Sequence, residues 1–266
     1  MTAVVLLCAC GGYRPAEDAP DWFGGDWVDP RLGLMQAFGQ SLSPIVRNVR
    51  TAHGKLFRHA EVETMMRNDL RPLDIVLVRS RPALTRTFIP SRYTHALVWL
   101  GSEAELRAHG LWKSAALDPY RAAIRSGLTV IESSKDDVHL STFSELVDVD
   151  ALVVLRPRHT GLAHAKLSTL LSRVGTPFDV AFDLSDASRL TCAELIVEAF
   201  PEFGVPKRYA AGRMAIIPDD LARLALEGSR HLGFRIAVRA EGGRFHMESA
   251  REALERLSSP DYTKRN

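Results

Sequence analysis

One of the three cysteines stands where its sulfur could be a nucleophile. Cys192 lies in the string Leu190-Thr191-Cys192-Ala193-Glu194-Leu195-Ile196. Thr191 and Glu194 have capping-box spacing, so Thr191 is the expected N-cap of a helix that Cys192 opens. A sulfur there lies near unpaired backbone N–H groups and the positive end of the helix dipole, both of which favour thiolate over thiol. Cys192, Leu195, Ile196, Ala199 and Phe200 share one helical face, so the sulfur should point toward the domain interior. Taken alone, a cysteine on an apolar helix face is usually a small buried hydrophobe. Catalysis would need a base and a group to orient it.

His95 and Glu132 are residues of those types. His95 sits on an expected strand, Thr94 to Leu100, on which His95, Leu97 and Trp99 share one face and Ala96, Val98 and Leu100 the other. Glu132 closes the run Thr129-Val130-Ile131-Glu132. An imidazole could take the thiol proton, and a carboxylate could fix the imidazole tautomer and favour its charged form. Spacing alone does not bring the three together. One strand histidine among nine, and a carboxylate at a strand end, are ordinary structural residues when each is taken singly.

The elements that must position these residues follow from pattern. Strands are expected at Asp74 to Val78, Thr94 to Leu100, Leu128 to Glu132, Ala151 to Leu155 and Phe234 to Val238. Helices are expected at about Gly161 to Val174, Cys192 to Phe200 and Asp219 to Glu227. Strands, then helices, then a strand imply an α+β fold with a mostly antiparallel sheet packed against helices. The chain divides into an apolar start with an irregular Pro/Gly-rich tether over 1–30, a helical segment over 31–70, a main domain over 71–240 and a polar tail over 241–266. A helix-like stretch in that tail, from Glu248 to Leu257, is expected to be loosely attached.

Several motifs, in order, resemble the permuted papain-like amidases, the YiiX-like branch of the NlpC-type cysteine peptidase superfamily. They are Leu73-Asp74-Ile75-Val76-Leu77-Val78, Tyr93-Thr94-His95-Ala96-Leu97-Val98, Val130-Ile131-Glu132-Ser133, Gly175-Thr176-Pro177-Phe178-Asp179, the Cys192 string and Pro218-Asp219-Asp220-Leu221. The resemblance covers about Leu73 to Leu221. The histidine strand precedes the cysteine helix, the order that circular permutation of a papain-like fold gives. The resemblance implies Cys192 as nucleophile, His95 as base and Glu132 as the orienting third member, with Tyr93 and Asp179 as substrate-binding candidates. Ala193 stands where family members often carry Ser, and Phe178 where they commonly carry Tyr.

The implied reaction is acyl transfer to Cys192 followed by hydrolysis, with no metal and no cofactor. His159 and His164, at i and i+5, do not share a helical face and read as surface residues. Gly11-Gly12 and Gly24-Gly25 precede no phosphate loop. The substrate expected is a small peptide-like amide. A lipid or thioester acyl hydrolase or acyltransferase on the same fold is the enzymatic alternative. A non-catalytic envelope lipoprotein acting as a binding module is the other.

The chain begins Met1-Thr2-Ala3-Val4-Val5-Leu6-Leu7-Cys8-Ala9-Cys10. Leu7-Cys8-Ala9-Cys10 resembles a bacterial lipobox, which implies cleavage before Cys10, lipid on its sulfur and a membrane-anchored protein of the cell envelope. The segment is short and lacks a basic n-region; a spurious lipobox would leave a cytoplasmic protein. Composition narrows the classes further. The 266 residues carry a formal net charge of +2, too small for bulk attraction to nucleic acid. Hydrophobic residues make up 46% and charged ones 25%, the balance of a globular chain. Three cysteines (Cys8, Cys10 and Cys192) cannot build a disulfide framework.

Overall fold

A computed structural model describes residues 53–80, 91–134, 136–159, 161–210 and 213–259. The expected lipobox with Cys10, the tether, and residues 31–52 of the expected helical segment lie outside them. The elements in chain order are α1 (Ala60–Asp69), β1 (Ile75–Arg79), β2 (His95–Trp99), α2 (Glu103–Ala108), α3 (Arg121–Arg125), β3 (Leu128–Ser134), β4 (Asp137–Thr142), α4 (Phe143–Val147), β5 (Ala151–Pro157), α5 (Ala163–Ser172), α6 (Cys192–Ala199), β6 (Arg208–Ala210), β7 (Arg213–Ala215), α7 (Pro218–Leu226), β8 (Leu232–Glu241), β9 (Arg244–Glu248) and α8 (Ala250–Ser258). Seven strands form one sheet in the order β4-β3-β2-β1-β5-β8-β9. Every neighbouring pair in it is antiparallel. The fold is α+β, as expected.

The strand sequences explain how the sheet is covered. Runs such as Ile75-Val76-Leu77-Val78 and Leu152-Val153-Val154-Leu155 are apolar throughout rather than alternating, which marks strands buried on both faces. On one face Ile75, Leu77, Ala96, Val98, Ile131, Val153 and Leu155 pack in one cluster with Leu167 and Leu170 of α5, Leu195 and Ile196 of α6, and Leu221 of α7. On the other face Val76, Val78, Leu97, Trp99, Val130, Leu152 and Val154 pack with Leu56, with Val62 and Met66 of α1, and with Phe143 and Leu146 of α4. Burying each large aliphatic side chain is worth roughly 1.5–3 kcal/mol, against about 0–1 for an exposed ion pair. These two layers therefore dominate stability, and they fix the sheet on which the site is built.

One expectation changes. The segment after Glu241 is no loose tail: β9 pairs with β8, and α8 buries Ala253 completely against the main core. Glu248, itself buried, pairs with Arg239 at 3.0 Å and Arg256 at 2.5 Å. The polarity that suggested detachment is ionic packing under an amphipathic helix whose apolar side is narrow. The described part of the 31–70 segment is likewise a cover for the far face of the sheet. Its chain entry is tight: Gly54 packs so closely on the Val149 backbone that a Cβ would lie 2.2 Å from Val149 N.

Candidate active site

The helix bearing the cysteine starts as its sequence dictates. Thr191 is the N-cap of α6, and the box is closed in both directions: the Thr191 hydroxyl accepts the Glu194 N–H at 3.2 Å, and the Glu194 carboxylate accepts the Thr191 N–H at 2.8 Å. Burial holds the Glu194 carboxyl above its ordinary range, opposed by those hydrogen bonds. Cys192 is the first helical residue and is 7% exposed, and Leu195, Ile196, Ala199 and Phe200 are buried on its face as the periodicity requires. As the first helical residue, Cys192 has no carbonyl four positions back for its N–H within the helix.

His95 opens β2. Val78 of β1 is paired in register with His95, yet the Thr94 N–H also donates to Val78 O at 2.8 Å. The chain just ahead of His95 thus departs from the ladder pairing that holds the rest of β2. Strict alternation would group His95 with Leu97, and Glu132 is the register partner of Leu97 on β3. That places the imidazole and the carboxylate diagonally across one strand pair. His95 Nε2 lies 2.6 Å from Glu132 Oε2. Cys192 belongs to the opposite cluster of the sheet, and its sulfur acts electrostatically on the ring.

The electrostatics join all three. Burial by itself would lower the His95 pKa, but the charge on the Cys192 sulfur and a hydrogen bond to it, together with the Glu132 carboxylate, raise it to about 10. Burial would raise Glu132. Its hydrogen bond to His95 and that residue's charge, with smaller help from Ser141 and His139, instead hold it down at about 2. With Nε2 committed to Glu132, Nδ1 is the ring nitrogen left for the thiol. Side-chain exposure falls from 21% at His95 to 11% at Glu132, so the imidazole is the more open of the pair.

The two substrate-binding candidates are placed differently. Tyr93 is 2% exposed and Asp179 is 1% exposed, so neither offers surface to an incoming molecule. Burial pushes the Tyr93 phenol well above its ordinary value. Asp179 accepts the N–H groups of Ala181 and Asp183 and so shapes the loop that leads to Cys192. That loop also contains Phe182 with a left-handed backbone, φ 52°. Sequence reasoning missed Ser133. It sits next to Glu132, is fully buried, and its hydroxyl donates to Leu190 O at 2.6 Å. It thus ties the carboxylate strand to the residue two before the cysteine. Its place at the end of Val130-Ile131-Glu132-Ser133 was the signal that could have found it. Among the described residues no group of three or more His, Cys, Asp or Glu side chains could hold a metal ion, and no helix is long and apolar enough to cross a membrane.

A helix-borne thiol, a strand-borne imidazole and a carboxylate, in the chain order histidine, glutamate, cysteine, define a permuted papain-like arrangement. The chain belongs to the family described as permuted papain-like amidase enzyme, YaeF/YiiX, C92 family, whose model matches residues 69–232. No curated protein and no solved structure matches the chain. The matched span begins at the last residue of α1 and ends at the first of β8. It contains all three residues of the site.

Proposed function

We propose that the protein is a cysteine hydrolase of the cell envelope that cleaves a peptide-like amide bond, with Cys192 as nucleophile, His95 as general base and acid, and Glu132 as the orienting carboxylate. The observation that carries the reading is the His95 ring, held 2.6 Å from Glu132 on one nitrogen and coupled to the Cys192 sulfur. In the first half-reaction His95 takes the Cys192 proton, and the sulfur attacks the carbonyl carbon and forms a C–S bond. The C–N bond breaks, and His95 gives its proton to the leaving amine. In the second, His95 takes a proton from water, the hydroxyl carbon bond forms, and the C–S bond breaks to return the thiol and release a carboxylic acid. The Cys192 N–H at the helix start is the donor suited to the transient oxyanion. Glu132 stays ionised throughout and stabilises the imidazolium.

A specific observation favours one second reading. The loop before the cysteine carries the partly buried Phe178, Val180, Phe182 and Leu184, and the rings of Phe178 and Phe182 meet edge to face at 6.2 Å. An apolar approach to the nucleophile suits a lipid ester or thioester as well as an amide.

Purified full chain assayed on a panel of peptide amides, thioesters and lipid esters separates these readings. Cys192→Ala should abolish turnover and His95→Ala should remove at least the ~10²–10⁴-fold that a positioned base supplies. Glu132→Gln should cost less, since nucleophile and base remain. Melting curves must stay close to wild type for the order to count. Wild-type turnover in Cys192→Ala would defeat the enzyme reading and favour a binding module. The envelope location rests on Leu7-Cys8-Ala9-Cys10. Fatty-acid labelling in a bacterial host should tag the chain and fail in Cys10→Ala, and a label that survives that change sinks the anchor.

A further inference from the structure

We infer that Asp219 is a positioning residue for the base: its carboxylate fixes the backbone at Arg92 and Tyr93 and so sets where β2 begins and where the His95 ring stands. The inference rests on the reading of His95 as the base. Asp219 Oδ2 accepts the Arg92 N–H at 2.6 Å and Oδ1 accepts the Tyr93 N–H at 2.8 Å, across 127 and 126 residues of chain. These two residues precede the strand ladder, so the sheet supplies no partner for their N–H groups; a carboxylate does instead. Bonds from N–H to an ionised carboxylate are the stronger kind, and two of them on one rigid plane fix orientation as well as distance.

The alternative role, capping its own helix, is already filled. Asp219 is the second residue of α7, but the Ile217 N–H is taken by Asp220 at 2.9 Å, and Pro218 needs no N–H partner. Asp220 also pairs with Arg208. Asp219 is thus released from local duty, and its carboxylate reaches outward to the strand. Its platform is firm, because Leu221 and Ala222 are fully buried and Ala225 nearly so.

The arrangement is costly, which argues against a neutral accident. Asp219 is 8% exposed. Burial pushes its carboxyl up to about 6, although the Arg92 and Tyr93 N–H groups and the charges of Arg208 and Arg92 favour ionisation. An apolar residue would avoid that cost but leave the strand start unheld.

Asp219→Asn tests this. The amide keeps one acceptor but turns an NH₂ toward the second N–H. Expected are a kcat lower by about 10- to 100-fold, the scale of a misplaced catalytic group, a KM within about twofold, and a parallel fall in iodoacetamide alkylation of Cys192 at pH 7. Asp219→Glu, which retains both acceptors, should recover part of the loss. Asp220→Asn is the control. It should lower the melting temperature through Ile217 and Arg208 without the fall in kcat or alkylation. Wild-type kcat and alkylation in folded Asp219→Asn would overturn the inference, as would a loss confined to KM. So would equal losses in the Asp219 and Asp220 variants that track melting temperature. If Asp219→Asn does not fold, the inference stands on Asp219→Glu alone: a folded glutamate variant with wholly normal kcat refutes a geometric role. Wild-type Cys192 that reacts no faster than a free peptide cysteine would instead refute the triad, so the two failures are distinct.

Discussion

The two chain segments that carry the proposed nucleophile and base are held in opposite ways. The start of α6, which delivers Cys192, is held from within: Thr191 and Glu194 exchange hydrogen bonds across three residues. The start of β2, which delivers His95, is held from Asp219, more than a hundred residues away. The first tie is neutral at one end and short in sequence. The second relies on a buried charge. A helix start can specify itself because its orphan N–H groups lie within reach of neighbouring side chains. A strand start cannot, since its direction depends on whatever lies beside the sheet. The place of Cys192 is therefore local information, and the place of His95 is tertiary information.

Substitutions at the helix side sharpen this contrast. Ser133→Ala should have the larger effect. It leaves the buried Leu190 carbonyl without its hydroxyl partner, at about 1–3 kcal/mol, and loosens the loop that ends at Cys192. Thr191→Ala should cost about 1 kcal/mol, the usual worth of an N-cap. For a domain of this size that is a drop of roughly 2–4 °C in melting temperature. Thermal melts measure both. Cys192 alkylation should slow in each, while amide exchange at Arg92 and Tyr93, whose N–H groups are held by Asp219 and touched by neither residue, should match wild type. Faster exchange at those two amides in Thr191→Ala would show that the two segments are not independently held.

The same contrast explains what was legible in the sequence. The helix at Cys192, its cap and its buried face could be read from Thr191, Glu194 and the 3.6-residue period, because all the determinants lie within ten residues. The core strands were legible from their apolar runs. The strand Asp137–Thr142 was not, because Asp137, His139 and Ser141 dilute its pattern and its pairing with β3 supplies the structure. His95, Glu132 and Cys192 were grouped through resemblance, since alternation alone assigns His95 and the cysteine cluster to opposite faces. Asp219 stood in plain view within Pro218-Asp219-Asp220-Leu221. Two acidic residues after a proline read as an ordinary helix start, and nothing local says that one of them faces a strand.

The central claim is that Cys192, His95 and Glu132 form one charge-coupled unit. The most direct test is an NMR titration of the His95 ring in the wild-type chain and in Cys192→Ala, with folding checked at each pH. In the wild type the ring should remain protonated until about pH 10, because the sulfur and the Glu132 carboxylate both favour the imidazolium against burial. In Cys192→Ala one of those two supports is gone, and the midpoint should fall toward the ordinary imidazole range. A wild-type ring that titrates near 6.5 and does not move in Cys192→Ala would contradict the account.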